Sequence, residues 1–356
     1  MADLKSPFLI FFKSSIRYFA AILFLYVVSK PGISVIIPNY NGKHLLKQVL
    51  PAIFIALQNA GLPNELIISD DASIDDSIFF LQSHYPQVKL ICNKENRGFS
   101  PTINKGIFVA QYDYVLLLNS DVKLSPDYFQ PLLRYFERED TFGVMGRIVG
   151  WQNEIIQDAA KYPSFHGAKL KTSGNYYFTQ ATEKDWTFSM YLSGANAFVD
   201  RKKLVALGGF DEIFAPFYVE DFELSLRAWR LGWKCYYEHF SICKHHESIT
   251  IKSSNQEEYI KTIYYRNKMF MHAIHLSSKQ LINWYLQLIP ETLIRIVTGR
   301  FYYLQSLKMF FNSRNKIAES KEKFNALTGP ANPTLTVTEV VAMICEKIKM
   351  KDVKRF

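Results

Sequence analysis

The sequence of 356 residues has few of the features that mark cofactor-binding and disulfide-stabilised folds. No GxGxxG and no GxxxxGK[ST] motif occurs, which argues against a dinucleotide-binding fold and a P-loop. The chain has four scattered cysteines, Cys92, Cys235, Cys243 and Cys345. They form no CxxC pair, so a disulfide framework and a zinc ribbon are both disfavoured, and a reducing compartment is indicated.

A long apolar run is also lacking near the N-terminus. The apolar segment 8–28 contains Lys13 and Arg17, and its clean part, 18–28, has only 11 residues. A membrane-spanning helix needs about 20, and no small-residue cleavage site follows that would mark a signal peptide. For residues 1–30 we predict a helix that either lies in a membrane interface or packs on the protein.

The net positive charge is confined to one part of the chain. After residue 250 there are 17 Lys and Arg against eight Asp and Glu, which accounts for the whole net charge of +9. Residues 251–356 are predicted to form a basic, largely helical region, aromatic-rich over 266–311 and helical again over 340–356. An anionic membrane surface on the cytoplasmic side is one expected partner. The alternative is a helical subdomain with a solvated basic face; nucleic acid is not expected, because no binding motif accompanies the charge.

Short apolar runs alternate with helical periodicity in the first third of the chain. The predicted strands are 33–38, 65–69, 88–92 and 114–118, and the predicted helices are 45–57, 74–84 and 100–110. This alternation indicates βαβ units. The predicted fold class is α/β with a mostly parallel sheet flanked by helices.

Polar residues follow each predicted strand. They are Pro38 to Asn41, Asp70 and Asp71, Asn93 to Arg97, and Asn119 to Asp121. Turn and N-cap preferences explain any one of these loops, but no helix requires a cap directly after Asp121. Because the carboxyl ends of parallel strands share one edge, where ligands bind in open α/β folds, the four loops together predict a binding site.

These residue types suit a nucleotide diphosphate. Tyr40 can face a base or ribose, a carboxylate can accept from a base N–H, and Arg97 can pair with a phosphate. Asp121 can hold a hard divalent cation that also binds substrate phosphates. Such a cation would assist departure of the diphosphate.

Four of these segments, "ISVIIPNYNG", "LIISDDASIDDS", "NRGFSPTINKG" and "LLLNSD", resemble successive motifs of family-2 glycosyltransferases with the GT-A fold. The likeness is to rhamnosyltransferase-like bacterial members. Residues 192–233 resemble the acceptor half of that family, so the resemblance covers 33–250. It implies a catalytic domain over 31–250, between the N-terminal segment and the basic C-terminal region.

The resemblance assigns donor and metal residues. The donor-nucleotide residues would be Pro38, Tyr40, Asp70, Asp71, Arg97 and Asn119. Asp121 would bind Mg²⁺ or Mn²⁺ as the carboxylate of the DxD motif, with Asn119 where the family often has its first aspartate. The family's H-x-E-S element adds a histidine, which His245 matches. His246 is the alternative, and a structural role is the commoner fate of a lone histidine.

The segment "EDFELSLRAWRLG" predicts a helix with Gly232 as its C-cap. Glu220 and Asp221 stand at its N-terminus, where the macrodipole favours an ionised carboxylate. An ordinary acidic first turn would have the same composition. The resemblance assigns Asp221 as the base that takes the acceptor proton in an inverting transfer.

The remaining segment, 151–190, is predicted to be a variable loop region on the acceptor side, whose aromatic rings either stack on sugars or lie in the core. The predicted function is an inverting glycosyltransferase that moves a sugar from a nucleotide diphosphate to a glycan or lipid-linked acceptor in cell-envelope polysaccharide synthesis. A nucleotidyltransferase is disfavoured because no Gly-rich loop follows the first strand. A non-catalytic glycan- or nucleotide-binding relative is the other alternative.

Overall fold

The structure is a computed structural model that describes residues 30–246, 257–328 and 334–356. Predictions for residues 1–29 and for the boundary near residue 250 lie outside the described residues.

The first half of the chain forms the predicted βαβ units. The strands are β1 (Ile33–Asn39), β2 (Asn64–Asp70), β3 (Lys89–Cys92) and β4 (Tyr114–Leu118). The helices are α1 (Lys43–Ala60), α2 (Ser77–His84) and α3 (Phe99–Val109). β1 pairs in parallel with β2 and β4, and β2 pairs in parallel with β3. The predicted α/β class is confirmed.

Side chains of β1 alternate between two hydrophobic cores on opposite faces of the sheet. Val35 and Ile37 contribute to the core under α1, whereas Ile36 contributes to the core on the other face. Both faces are covered, so the strand has the continuous apolar run typical of a buried parallel sheet. α1 ends at Gly61, whose φ of 66° gives the left-handed conformation that closes many helices.

The second half completes a mixed sheet. Its strands are β5 (Val122–Leu124), β6 (Thr141–Gly150), β7 (Ile156–Asp158), β8 (Ala160–His166), β9 (Lys169–Phe178), β10 (Thr187–Phe188), β11 (Asn196–Asp200), β12 (Lys234–His245) and β13 (Val353–Arg355). Three helices accompany them, α4 (Gln130–Leu133), α5 (Arg201–Ala206) and α6 (Glu220–Arg230). The main sheet has the order β10-β12-β6-β11-β4-β1-β2-β3, with β11 antiparallel to both neighbours.

The prediction of a loop region over 151–190 is wrong for most of its length. Four strands, β7 to β10, lie there, and β8 and β9 form a hairpin that turns at Gly167, whose φ is 61°. β13 adds to β9 and completes a second, three-stranded sheet. The hairpin is largely exposed along one side, so its strands contain glycines and lysines and no continuous apolar run. For that reason the sequence did not indicate strands here. The last residues were expected to be helical throughout, and β13 corrects that expectation too.

The C-terminal region is largely helical, as predicted. Residues 257–328 and 334–356 contain five helices. They are α7 (Glu257–His275), α8 (Ser278–Val297), α9 (Tyr302–Asn312), α10 (Arg314–Ala326) and α11 (Val337–Lys349). α7 is joined to α6 inside the protein: Glu223, 1% exposed, lies 3.0 Å from His275 Nε2 and 2.9 Å from Arg227 Nε. The helices and the sheet therefore share one core.

Among the helices of residues 30–246, 257–328 and 334–356, none is both long and apolar enough to cross a bilayer.

Candidate functional site

The loops after β1 and β2 are tied together by Asp70, a fully buried carboxylate. Asn39 Nδ2 donates to Asp70 Oδ2 over 2.8 Å, in keeping with the pairing of these two residues in the parallel ladder. The Ser73 hydroxyl and amide also donate to Asp70, at 2.6 and 2.8 Å. Asp70 therefore holds in place the loops around Tyr40. These loops belong to the rim, the edge of the sheet at the carboxyl ends of β1 to β4.

Asp71 organises the next loop in the same way. Its Oδ1 accepts from Asn93 Nδ2 at 2.6 Å and from the Arg97 amide at 2.9 Å, and its Oδ2 accepts from the Gly98 amide at 2.8 Å. Gly98 has a φ of 85°, and a Cβ there would lie 2.7 Å from Pro216 Cα, so only glycine fits. Both predicted base-binding carboxylates thus already accept hydrogen bonds from the chain, and their contact with a base stays a prediction.

Three predicted donor residues present side chains at this rim. Pro38 and Tyr40 are partly exposed and Arg97 is exposed. Arg97 Nη2 lies 3.7 Å from Glu212 Oε2, a surface pair of the kind that contributes little to stability. An incoming phosphate can therefore replace Glu212 as the partner of Arg97 at little cost.

The strongest candidate for metal binding is the end of β4. Asp121 is 9% exposed, and its Oδ1 is buried with no hydrogen-bond partner. Its Oδ2 lies 3.5 Å from His245 Nε2. Asn119, at the first position of the motif, is partly exposed next to them, with its amide donating to the Ala195 carbonyl. A buried carboxylate oxygen without a donor is costly unless a cation or other ligand satisfies it.

The pairing of β5 with β12 brings the histidine to the aspartate. In that ladder His245 is opposite Val122, the residue after Asp121. His246 points elsewhere: its ring packs edge-on against Trp151 at 5.6 Å, while its amide donates to the Asp121 carbonyl. Of the two alternatives left open by the sequence, His245 is the one whose imidazole meets the carboxylate.

The donor set fits a divalent cation held partly by substrate. Within the described residues no group of three or more His, Cys, Asp or Glu side chains could hold a metal ion by itself. Asp121 and His245 would supply two ligands, and phosphate oxygens and water the rest, as is usual for Mg²⁺ at nucleotide sites.

The predicted base lies at the start of α6. Asp221 Oδ1 accepts from the Phe222 amide at 2.7 Å, and its Oδ2 accepts from the Gly194 amide at 3.3 Å. Glu220 is 8% exposed, with Oε2 buried and without a hydrogen-bond partner. The helix N-terminus thus gathers two carboxylates that both accept hydrogen bonds from backbone amides, while one oxygen, Glu220 Oε2, has no partner.

Electrostatics differ from the expectation drawn from the macrodipole. Burial raises the pKa of Asp221, and the amides of Gly194 and Phe222 lower it by less. Burial and the charge of Asp221 raise the pKa of Glu220. Two adjacent buried carboxyl groups resist joint ionisation, and a raised pKa makes the ionised member a stronger base near neutral pH.

A strained loop precedes the two carboxylates. Tyr218 and Val219 both have positive φ, 73° and 76°, which is uncommon for residues with a Cβ and concentrates at functional sites. Asn267 of α7 holds this loop: its Nδ2 lies within 2.6, 3.0 and 2.8 Å of the carbonyl oxygens of Phe214, Phe217 and Tyr218. No local pattern indicates this role for Asn267, because its partners lie some 50 residues away in the chain.

Asn267→Ala is expected to lower the free energy of unfolding by about 1–3 kcal/mol, because one buried and two partly buried carbonyls lose their donor. If the loop also places Asp221, kcat will fall while KM for the donor stays near normal. Urea unfolding and steady-state kinetics measure the two effects. Asn315→Ala, the same change at an exposed helical position, should shift stability by less than about 0.5 kcal/mol; an equal loss in both variants would contradict the role of Asn267.

The fold and its rim define the class of protein. A mostly parallel sheet flanked by helices, with a buried aspartate at a strand end, is the GT-A glycosyltransferase architecture. The structure is similar to GalNAc-T7 solved with UDP, GalNAc and Mn²⁺, with a TM-score of 0.63 and 15% identity, over 91% of this chain and 58% of that one. At that identity the likeness concerns the fold alone. Residues 34–208 match the family model Glycosyl transferase family 2, in agreement with the motifs.

Curated relatives agree with this assignment. Chondroitin synthase of Escherichia coli is 27% identical over 194 residues, which are 51% of this chain and 28% of that protein. N-acetylglucosaminyl-diphospho-decaprenol L-rhamnosyltransferase of Mycobacterium tuberculosis is 24% identical over 242 residues, which are 60% of this chain and 76% of that protein. The chain thus spans little more than a quarter of the first relative and three quarters of the second.

Proposed function

We propose that the protein is an inverting glycosyltransferase that moves a sugar from a nucleotide diphosphate to a hydroxyl of a glycan or lipid-linked acceptor. The observation that carries this proposal is the buried, unpartnered Oδ1 of Asp121 beside His245, within a family-2 domain. A strand-end carboxylate and an imidazole can hold a cation that shares the diphosphate. A protein that only bound a nucleotide or a glycan would not require two further carboxyl groups of raised pKa, Glu220 and Asp221, at the acceptor side.

In this proposal the nucleotide lies along the ends of β1 to β4. Tyr40 and Pro38 contact the base or ribose, Arg97 pairs with a phosphate, and Asn119 lies beside the diphosphate. Asp70 and Asp71 shape the loops and offer remaining lone pairs to the base. The cation, Mg²⁺ or Mn²⁺, would supply charge stabilisation for the departing diphosphate.

Asp221 would take the acceptor proton. As the acceptor oxygen bonds to the anomeric carbon, the bond from that carbon to the diphosphate oxygen breaks, and the proton passes to an Asp221 oxygen. Attack opposite the leaving group inverts the anomeric configuration. The Gly194 and Phe222 amides hold the Asp221 carboxylate in one orientation for this step. Two of the similar proteins are a rhamnosyltransferase and a chondroitin synthase. Their similarity supports a role in cell-envelope polysaccharide synthesis.

A panel of nucleotide diphosphates and nucleotide sugars, measured by thermal shift with and without Mn²⁺, tests the proposal. We expect one nucleotide to raise the melting temperature, and to do so more with Mn²⁺. The matching nucleotide sugar should then be hydrolysed slowly in the absence of acceptor. Tight binding without hydrolysis or transfer to any acceptor would favour the non-catalytic alternative, and release of diphosphate from a nucleoside triphosphate with a sugar phosphate would indicate a nucleotidyltransferase.

A further inference from the structure

A basic cavity lies between the β8–β9 hairpin and the helices α7 to α9. Its volume is about 420 Å³, and none of the donor, metal or base residues named above lines it. Cavities of this size hold small ligands or headgroups. The charged side chains that line it are Lys169, Lys171, Lys268, Arg295, Arg300 and Glu291. Five cations thus surround one carboxylate.

Among the residues that the structure describes, one carboxylate lies at the basic cavity. Glu291 forms an ion pair with Lys169. Within the described part of the chain, the other four cations have no carboxylate within ion-pair distance. Burial and the charge of Lys171 lower the pKa of Lys268 to about 8. Such mutual repulsion is unfavourable unless an anion enters.

The cavity also has fixed polar groups. Arg295 Nη2 donates to Tyr265 Oη over 3.2 Å, and the guanidinium lies 5.2 and 5.6 Å from the ring centroids of Tyr265 and Tyr303. The side chain is therefore held in place before any ligand arrives. Trp284, fully buried in the wall, has an indole Nε1 without a hydrogen-bond partner. Cations and a donor facing one cavity suit a phosphate group.

The helix that supplies Arg295 also has a long exposed apolar face. On α8 this face, the α8 stripe, comprises Ile282, Leu286, Ile289, Leu293 and Val297, each at least 59% exposed. Their spacing of three or four residues puts them on one side of the helix. Phe301, 63% exposed, follows just after the helix. An exposed apolar stripe of this length marks an interaction surface.

The basic cavity adjoins the α8 stripe at Ile294, the residue after Leu293 of the stripe. Ile294 lines the cavity and is itself 61% exposed. An apolar face bordered by lysines and arginines is the pattern of a helix that lies in the interface of an anionic bilayer. A protein partner would match the stripe, but it would leave the four unpaired cations of the cavity unexplained.

We propose that the α8 stripe lies in the surface of an anionic membrane and that the basic cavity binds the phosphate group of a lipid in that membrane. The lipid phosphate is that of an anionic phospholipid headgroup, which brings the chain to the membrane surface. The inference concerns membrane binding and is independent of sugar transfer.

Flotation of the full chain with vesicles tests the cavity. The unmodified protein should float at low salt with vesicles that contain phosphatidylglycerol and not with phosphatidylcholine alone. Lys268→Gln/Arg295→Gln is expected to weaken binding about 30-fold, the effect of removing two cations near an anionic surface. Lys308→Gln/Lys316→Gln, exposed positions outside the cavity, should weaken it much less. Equal weakening by both pairs would overturn the cavity as the site.

The stripe is tested by Leu286→Asp/Leu293→Asp. We expect flotation to be lost with the melting temperature unchanged, whereas Phe79→Asp, an exposed apolar position far from α8 in sequence, should alter neither. If the stripe variant unfolds more readily and the unmodified protein does not float, another part of the chain, such as residues 1–29, covers the stripe and the proposal fails.

Competition separates the sources of phosphate. Sodium pyrophosphate at constant ionic strength should release the protein from phosphatidylglycerol vesicles if the cavity holds a lipid phosphate. Binding of pyrophosphate to the unmodified protein, lost in Lys268→Gln/Arg295→Gln, together with absent vesicle binding would identify a soluble phosphate ligand and overturn the membrane assignment. Neither arm includes a sugar donor, so failure here leaves the transferase proposal untouched.

Discussion

Asp221→Asn is expected to lower kcat by about 10²–10⁴-fold, the contribution of a general base. The substitution keeps the side-chain volume and removes the charge that accepts the proton. The Phe222 amide can keep its acceptor at Oδ1, whereas the longer contact of the Gly194 amide, 3.3 Å to Oδ2, is lost. The shorter bond should keep the side chain in place. Donor affinity should therefore remain near normal, and the loss should appear in kcat and not in KM for the donor.

Glu220→Gln is the matched control for this change. Glu220 is the neighbouring carboxylate, and its Oε2 is buried without a hydrogen-bond partner. Burial and the charge of Asp221 raise the pKa of Glu220 to about 8, so Glu220 is still protonated where Asp221 titrates. Glu220→Gln therefore removes no charge in that range and should leave the pKa of Asp221 and most of the activity unchanged. An inactive Glu220→Gln beside an active Asp221→Asn would reverse the assignment, and full activity in both would remove the base from this helix.

The pH dependence gives a second measurement of the same group. Because burial raises the pKa of Asp221, the carboxyl is protonated and inactive at low pH and becomes a base as pH rises through a value above the usual carboxyl range. The kcat profile of the unmodified enzyme should rise across that region. Glu220→Gln should leave this rise in place, because Glu220 is still protonated in that range, and the residual activity of Asp221→Asn should lose it.

The sequence predicted the parts of the fold that depend on local pattern. β1 to β4 and their helices have apolar spacing that repeats within ten or twenty residues, so their bounds agree with the structure within a few positions. β8 and β9 pair locally as a hairpin, but their scattered polar residues lack the alternating apolar pattern of a half-buried strand. β13 was missed because its pairing is not local: Arg355 is paired with Tyr176. A strand of three residues at the chain end has no periodicity of its own, and only its partner makes it a strand.

The candidate site likewise has features that follow from local sequence and features that depend on long-range packing. Strand ends placed Asp70, Asp71 and Asp121 at one rim because parallel strands share an edge. The choice between His245 and His246 depended on the β5–β12 ladder, since consecutive residues of a strand face opposite sides. The ionisation of Asp221 depended on burial, which a helix position does not reveal. Sequence thus located the groups, and long-range packing decided which of them meet and how they titrate.

Asp121→Asn is expected to abolish the effect of Mn²⁺ on nucleotide-diphosphate affinity and to lower kcat on the order of 10²–10³-fold, since a Lewis acid at the leaving group contributes several kcal/mol to catalysis. The asparagine keeps the shape of the side chain but not the charge that holds a cation. Isothermal titration of the nucleotide with and without Mn²⁺ gives the first effect, and steady-state rates give the second.

Two histidine variants sharpen this test because the structure separates their environments. His245→Gln should weaken Mn²⁺-dependent binding, since His245 Nε2 lies 3.5 Å from Asp121 Oδ2. His246→Gln, one residue further along the chain but packed on Trp151, should leave it unchanged. If the unmodified protein binds the nucleotide equally with and without Mn²⁺, the proposal of a metal site is wrong. Arg97 is then left as the rim's cation for the diphosphate, and Arg97→Gln would become the variant with the largest loss of donor affinity.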